Sequence, residues 1–88
     1  MWYISIDGYP QAFEAETFKE LIKCVKDYYT EQVNEDPYYN CNIDWFTAVY
    51  KENDDSIYEL SMHRVQKLID SLESWFFQIR EDRLYYNV

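Results

Sequence analysis

Residues 62–80, MHRVQKLIDSLESWFFQIR, contain the pattern that decides the fold. Neither Gly nor Pro interrupts this segment, and Ser61 stands directly before it as an N-cap residue. Apolar residues recur at steps of three and four, which places them on one stripe of a helix; they are Val65, Leu68, Ile69, Leu72, Trp75, Phe76 and Ile79. The segment therefore predicts an amphipathic helix over residues 62–80 that must pack against another surface.

A second amphipathic helix is predicted over residues 17–34. Thr17 and Glu20 form a Thr-x-x-Glu capping box at its start, and Pro37 prevents its continuation. One side of this helix is apolar and carries Phe18, Leu21, Ile22, Val25, Tyr28 and Tyr29. The charged positions separate by sign, with Lys19, Lys23 and Lys26 on one flank and Glu20, Asp27 and Glu31 opposite the core.

Four short strands are predicted from alternation and turn residues. In residues 2–6, Trp2, Ile4 and Ile6 share one face, and Tyr3 and Ser5 share the other. Asp7-Gly8 is a turn signal that leads into a second strand at residues 11–15. Residues 45–51 are rich in aromatic and β-branched side chains, and a turn at residues 52–55 returns the chain into residues 57–60.

These elements give the order ββαββα in a single domain of residues 1–88, with residues 35–43 as the connector. Each helix has one apolar stripe to bury, so the economical arrangement places both on one face of a sheet. We therefore expect an α+β fold in which two hairpins form a small antiparallel sheet covered by two amphipathic helices.

The charge balance excludes several classes of partner. Seventeen acidic and eight basic residues give a net charge of -9, which opposes direct binding to nucleic acid or to an anionic membrane. We expect neither a membrane-spanning helix nor a signal peptide. Cys24 and Cys41 favour a reduced pair in the cytoplasm, although one disulfide between them stays open.

Residues with catalytic or metal-binding chemistry are few. The one histidine, His63, has no accompanying nucleophile signature, and it does not combine with two distant cysteines into a zinc motif. The turn at residues 53–55 lacks the glycine and terminal glutamate of a calcium loop. A single glycine in the chain excludes a glycine-rich phosphate loop. We therefore predict that the protein is not an enzyme and that it holds no metal or cofactor.

Acidic residues crowd the unfavourable end of the first predicted helix. Glu16 and Glu20 lie at its start, where negative charge complements the helix dipole. Glu31, Glu35 and Asp36 lie at its carboxyl end, where each costs about 0.3 kcal/mol or more. Acidic side chains that lower the stability of the helix are candidates for binding a partner. The alternative explanation is that they maintain solubility.

Tyrosine is the second unusual feature, because the chain has ten of them. Two pairs, Tyr38-Tyr39 in the connector and Tyr85-Tyr86 in the C-terminal tail, lie outside the strongest periodic segments. Tyrosine is enriched at protein–protein interfaces. Each pair could equally fold back onto the core.

The acidic and aromatic positions together define a predicted partner-binding surface. Its residues are Asp27, Glu31, Glu35, Asp36, Tyr38, Tyr39, Glu52, Asp54 and Asp55. The chain resembles the small inhibitors encoded by phages and mobile elements in its small size, its acidity, its tyrosine content and its lack of a catalytic motif. These include anti-CRISPR and anti-restriction proteins, several of which mimic DNA.

The resemblance implies an inhibitor that acts in the cytoplasm, that of the host if the chain is phage-encoded. It would bind a basic nucleic-acid-handling protein and block its nucleic-acid site, without binding nucleic acid itself. Two other interpretations remain open. One is an immunity protein or antitoxin that neutralises a basic toxin, and the other is an adaptor domain whose charge serves solubility.

Overall fold

The computed structural model describes residues 1–86 and confirms the α+β fold with the order ββαββα. The strands are β1 (Trp2–Ile6), β2 (Tyr9–Ala15), β3 (Phe46–Asn53) and β4 (Ser56–Glu59). The helices are α1 (Phe18–Glu35) and α2 (Met62–Tyr86), and a short 3₁₀ turn (Ile43–Trp45) precedes β3.

The four strands form one antiparallel sheet in the order β2-β1-β3-β4. Gly8 takes a φ of 84° in the turn between β1 and β2, a conformation that glycine adopts without strain. Asn53 pairs with Ser56 across the second hairpin, so Asp54 and Asp55 form its tip. Since β1 lies between β2 and β3, the two hairpins join through their first strands.

Both helices pack on the same face of the sheet and form one core. Ile4 and Val49 from the central strands are fully buried, as are Leu21 of α1 and Phe76 of α2. The helices run in the same direction, because their contacts advance together. The Lys26 ammonium lies 5.6 Å from the centre of the Trp75 ring, and further along Arg83 donates to the carbonyl of Asn34 at 3.2 Å.

Side-chain caps fix the starts of the helices where the sequence predicts them. The Thr17 hydroxyl accepts the N–H of Glu20 at 3.1 Å, and the Ser61 hydroxyl accepts the N–H of Arg64 at 3.3 Å. Each cap satisfies one of the N–H groups that have no partner within the helix. Both caps lie at the end of the sheet where Trp2 contacts Phe18.

The second helix is longer than its apolar stripe predicts. It continues past Arg80 to Tyr86, so Tyr85 and Tyr86 belong to α2 rather than to an irregular tail, and residues 84–86 do not form a strand. The extension contains no helix-breaking residue, and Arg83 anchors it to α1. Asn87 and Val88 lie outside the described residues.

Candidate partner-binding surface

The predicted binding residues form two groups at opposite ends of the molecule. The first group follows the carboxyl half of α1, and the second, Glu52 with Asp54 and Asp55, lies at the β3–β4 hairpin. The start of α1 lies at the hairpin end of the sheet, because the Trp2 and Phe18 ring centres are 5.3 Å apart and Trp2 pairs with Lys51. At about 1.5 Å per residue, the end of α1 is about 25 Å further along. The nine residues therefore do not make one patch.

Two acids of the α1 group have local partners. Lys23 forms a 3.2 Å ion pair with Asp27, and within residues 1–86 this is the only ion pair. The Asp36 carboxylate accepts the N–H of Tyr38 at 3.0 Å, which stabilises the turn after the helix. Arg83 contributes from α2 the positive charge that the last turn of α1 lacks. Local structure thus accounts for part of this acidic group.

The neighbouring tyrosines Tyr38 and Tyr39 differ in their environments. Tyr38 is 74% exposed, whereas Tyr39 is half-buried and its ring centre lies 6.4 Å from that of the buried Tyr29. Tyr39 therefore extends the core, and Tyr38 is the member of the pair that is free to contact a partner. Glu31 and Glu35 are exposed.

The side of the sheet that faces away from the helices is a second surface, which we call the open face. No other element of the described chain covers it. Strand pairing places eight residues on it: Tyr3, Ser5, Glu14, Ala48, Tyr50, Glu52, Ile57 and Glu59. The open face also joins the hairpin tip, because Glu52 is two residues from Asp54.

A row of four side chains crosses the open face from edge to edge. The register pairs Glu14 with Tyr3, Tyr3 with Tyr50, and Tyr50 with Glu59. The two tyrosine rings stack with their centres 5.2 Å apart and an angle of 29° between their planes. The Tyr50 hydroxyl donates to the carbonyl of Pro10 at 3.0 Å, so the Tyr50 ring reaches across β1 towards β2. Strands lie about 4.8 Å apart, which separates the glutamates at the two ends of the row by about 14 Å.

The positive side chains are absent from the open face. Seven of the eight Lys and Arg residues belong to α1 or α2. The eighth, Lys51, pairs with Trp2 and Tyr58 on the helix-covered side of the sheet. The N-terminal ammonium donates to the carbonyl of Glu52 at the edge of the open face. Glu14, Glu52 and Glu59 therefore lie on a surface without a Lys or Arg side chain.

The titration of Tyr3 reflects this environment. Loss of hydration raises the pKa of the Tyr3 phenol, and the nearby Glu52, Glu14 and Tyr50 raise it further. Negative neighbours disfavour a second negative charge, which is the expected effect of unneutralised carboxylates. A cation placed over the ring would have the opposite effect.

The described residues contain no group of three or more potential metal ligands, and both Cys24 and Cys41 are free thiols. His63 is exposed in the first turn of α2. Of the helices in residues 1–86, neither has the length and hydropathy needed to cross a bilayer.

Sequence reasoning missed Tyr3, Glu14, Tyr50 and Glu59 as members of one surface. Alternation places Tyr3 on the face opposite Trp2 and Ile4, which is the available signal. The pairing register between distant strands then brings these residues together, and a single sequence does not contain that register.

Comparison with known proteins gives no relative from which function could be transferred. The chain matches no protein-family model, and no curated protein or solved structure is significantly similar to it.

Proposed function

We propose that the protein is a non-enzymatic inhibitor that binds a basic nucleic-acid-handling protein and covers its nucleic-acid site. The supporting observation is the separation of charge between the two sides of the sheet. The open face presents Glu14, Glu52 and Glu59 without a Lys or Arg side chain, and Asp54 and Asp55 extend this acid along the hairpin. Such a surface attracts a cationic groove and repels nucleic acid.

Within residues 1–86, the open face contains no ion pair, which supports the proposal. Within the described chain only Asp27 forms an ion pair, so binding a cationic partner does not require existing pairs on the open face to break. Tyr3 and Tyr50 add aromatic contact area between the carboxylates. Tyrosines of this kind often supply binding energy at the centre of an interface, whereas charged groups mainly steer the two proteins together.

The proposed setting is the cytoplasm, that of the host if the chain is phage-encoded. Anti-CRISPR and anti-restriction proteins act in such a setting on enzymes whose grooves hold DNA or RNA. The free thiols of Cys24 and Cys41 suit a reducing compartment.

A competition experiment tests the proposal. The immobilised protein captures its partner from a host lysate, and the purified partner is then loaded with a fluorescent DNA or RNA duplex. We expect the wild-type protein to displace the duplex at about 0.05 M salt, and to do so less well at about 0.3 M salt, where the screening length is shorter.

Two triple variants with the same change in charge locate the effect. Glu14→Gln/Glu52→Gln/Glu59→Gln neutralises the open face, and we expect it to weaken displacement about tenfold or more. Glu31→Gln/Glu35→Gln/Asp36→Asn neutralises the end of α1 and should have a smaller effect. Absence of displacement by the wild type at low salt would reject the inhibitor function. Full displacement by both variants would show that the acid serves solubility.

A further inference from the structure

We propose that the stacked Tyr3–Tyr50 pair and the glutamates around it form a docking site for an arginine side chain of the partner, in preference to lysine. This inference rests on the proposed function for the basic character of the partner. It adds the chemistry of the contact, because a general acidic surface does not distinguish between the two cations.

The geometry of the row favours a planar cation. The Tyr3 and Tyr50 rings stand on the open face between Glu14 and Glu59, and Glu52 is close enough to raise the pKa of Tyr3. A guanidinium group can stack on an aromatic ring while its N–H groups donate to a carboxylate in a bidentate geometry. An ammonium group can also lie over an aromatic ring, as Lys26 does over Trp75, but it is a compact, strongly hydrated charge that cannot stack as a plane while donating to a carboxylate in a bidentate geometry.

The site is ordered before a partner arrives. The Tyr50 hydroxyl is held by the carbonyl of Pro10 and its ring stacks on Tyr3, and Thr47 donates to Ser5 on the same face. The rings therefore lose little conformational freedom on binding, which favours affinity.

Charge complementarity favours a basic protein partner over nucleic acid or a second copy of this chain as the occupant of the open face. Nucleic acid carries the same sign as the open face, and two copies of the chain cannot pair through their open faces without bringing these glutamates together. Lysine and arginine both satisfy the charge. The aromatic pair is the feature that selects between them.

Two peptides of identical length test the preference, one with arginine and the other with lysine at every basic position. We expect the wild-type protein to bind the arginine peptide about fivefold more tightly at about 0.15 M salt, because only the guanidinium group combines planar stacking with bidentate donation. The ratio of affinities should persist at about 0.3 M salt, because stacking is screened less than charge attraction.

Variants of the two rings assign the preference to the site. Tyr3→Leu/Tyr50→Leu should reduce the ratio to about one, and Tyr3→Phe/Tyr50→Phe should restore it because the aromatic faces remain. Tyr38→Leu removes an exposed tyrosine at the other end of the molecule and should leave the ratio unchanged. Equal binding of the two peptides to the wild type would overturn the proposal without relying on any variant.

The outcomes also separate this inference from the inhibitor function. Displacement of nucleic acid without a preference for arginine would reject the docking site and keep the inhibitor. A preference for arginine without displacement would reject the inhibitor and keep the docking site as a contact for some other basic protein. If Tyr3→Leu/Tyr50→Leu still prefers the arginine peptide, the arginine-binding site lies outside the open face.

Discussion

The two sides of the sheet are built from alternating residues of the same strands, yet they have opposite properties. Ile4 and Val49 pair beneath the helices and are fully buried. Their chain neighbours Tyr3 and Tyr50 pair on the open face and stack there with glutamates around them. The covered side stabilises the fold because its side chains are buried beneath the helices. The open face contributes little to the core, so its residues are available for recognition.

The largest expected effect concerns the core on the covered side, where two adjacent aromatic residues of α2 differ in burial. Phe76 is fully buried and Phe77 is 51% exposed. Phe76→Ala should lower the free energy of unfolding by about 3–5 kcal/mol, because it leaves a cavity in the core. Phe77→Ala should lower it by less than about 1 kcal/mol. Urea denaturation measures both, and equal losses would contradict the placement of Phe76 in the core and of Phe77 on the outer side of α2.

A smaller difference is expected from removing one hydroxyl on each side. The buried Tyr29 donates to the side-chain oxygen of Asn42, whereas Tyr50 donates to the carbonyl of Pro10 at the surface. Tyr29→Phe should cost about 1–2 kcal/mol, since it leaves the Asn42 acceptor unsatisfied. Tyr50→Phe should cost under about 0.5 kcal/mol because water can replace the donor. A larger loss for Tyr50→Phe in thermal or urea unfolding would show that the open face has a structural role.

The smallest effect concerns an acid on the helix-covered side. Loss of hydration raises the pKa of Glu73, and the nearby Asp44 and Asp70 add to the shift. A carboxyl that binds its proton more tightly in the folded state is destabilising when ionised, so this penalty is present at neutral pH. It disappears as the pH falls through the folded pKa and then below the unfolded value of about 4.3.

Glu73→Gln should therefore stabilise the fold slightly near neutral pH, and the gain should fade as the pH falls below about 4.3. Glu81→Gln makes the same change in charge at an exposed position of α2 and serves as the control. Thermal unfolding across this pH range gives the comparison. An equal gain for both variants would assign the effect to net charge rather than to the surroundings of Glu73.

The sequence predicts the fold well because its signals are local. The stripe from Val65 to Ile79, the caps at Thr17 and Ser61, and the Asp7-Gly8 turn each specify an element from neighbouring residues. The predicted end of α2 at residue 80 was wrong, because residues 81–86 carry a weaker apolar pattern and give no signal that the helix continues. Their helical state is supported instead by the contact between Arg83 and Asn34, which is distant in sequence.

The candidate site was less predictable because it depends on how distant segments meet. The sequence shows that Glu31, Glu35 and Glu52 are acidic. In the structure, Glu31 and Glu35 lie at the far end of α1 from the hairpin. The partners of Asp27 and Asp36 lie four and two residues away, so the sequence could have indicated these local contacts. The row across the open face requires the registers of three strand pairs, which local patterns do not determine.

Hydroxyl-radical footprinting of the wild-type protein, free and bound to the captured partner, tests the central claim most directly. It reports side-chain exposure, and the chain provides internal references, because Tyr38 and Tyr85 are 74% and 72% exposed away from the open face. We expect partner binding to protect Tyr3, Tyr50 and Ile57 and to leave these two references reactive. Protection of Tyr38 with unchanged reactivity of Tyr3 and Tyr50 would contradict the assignment of the open face.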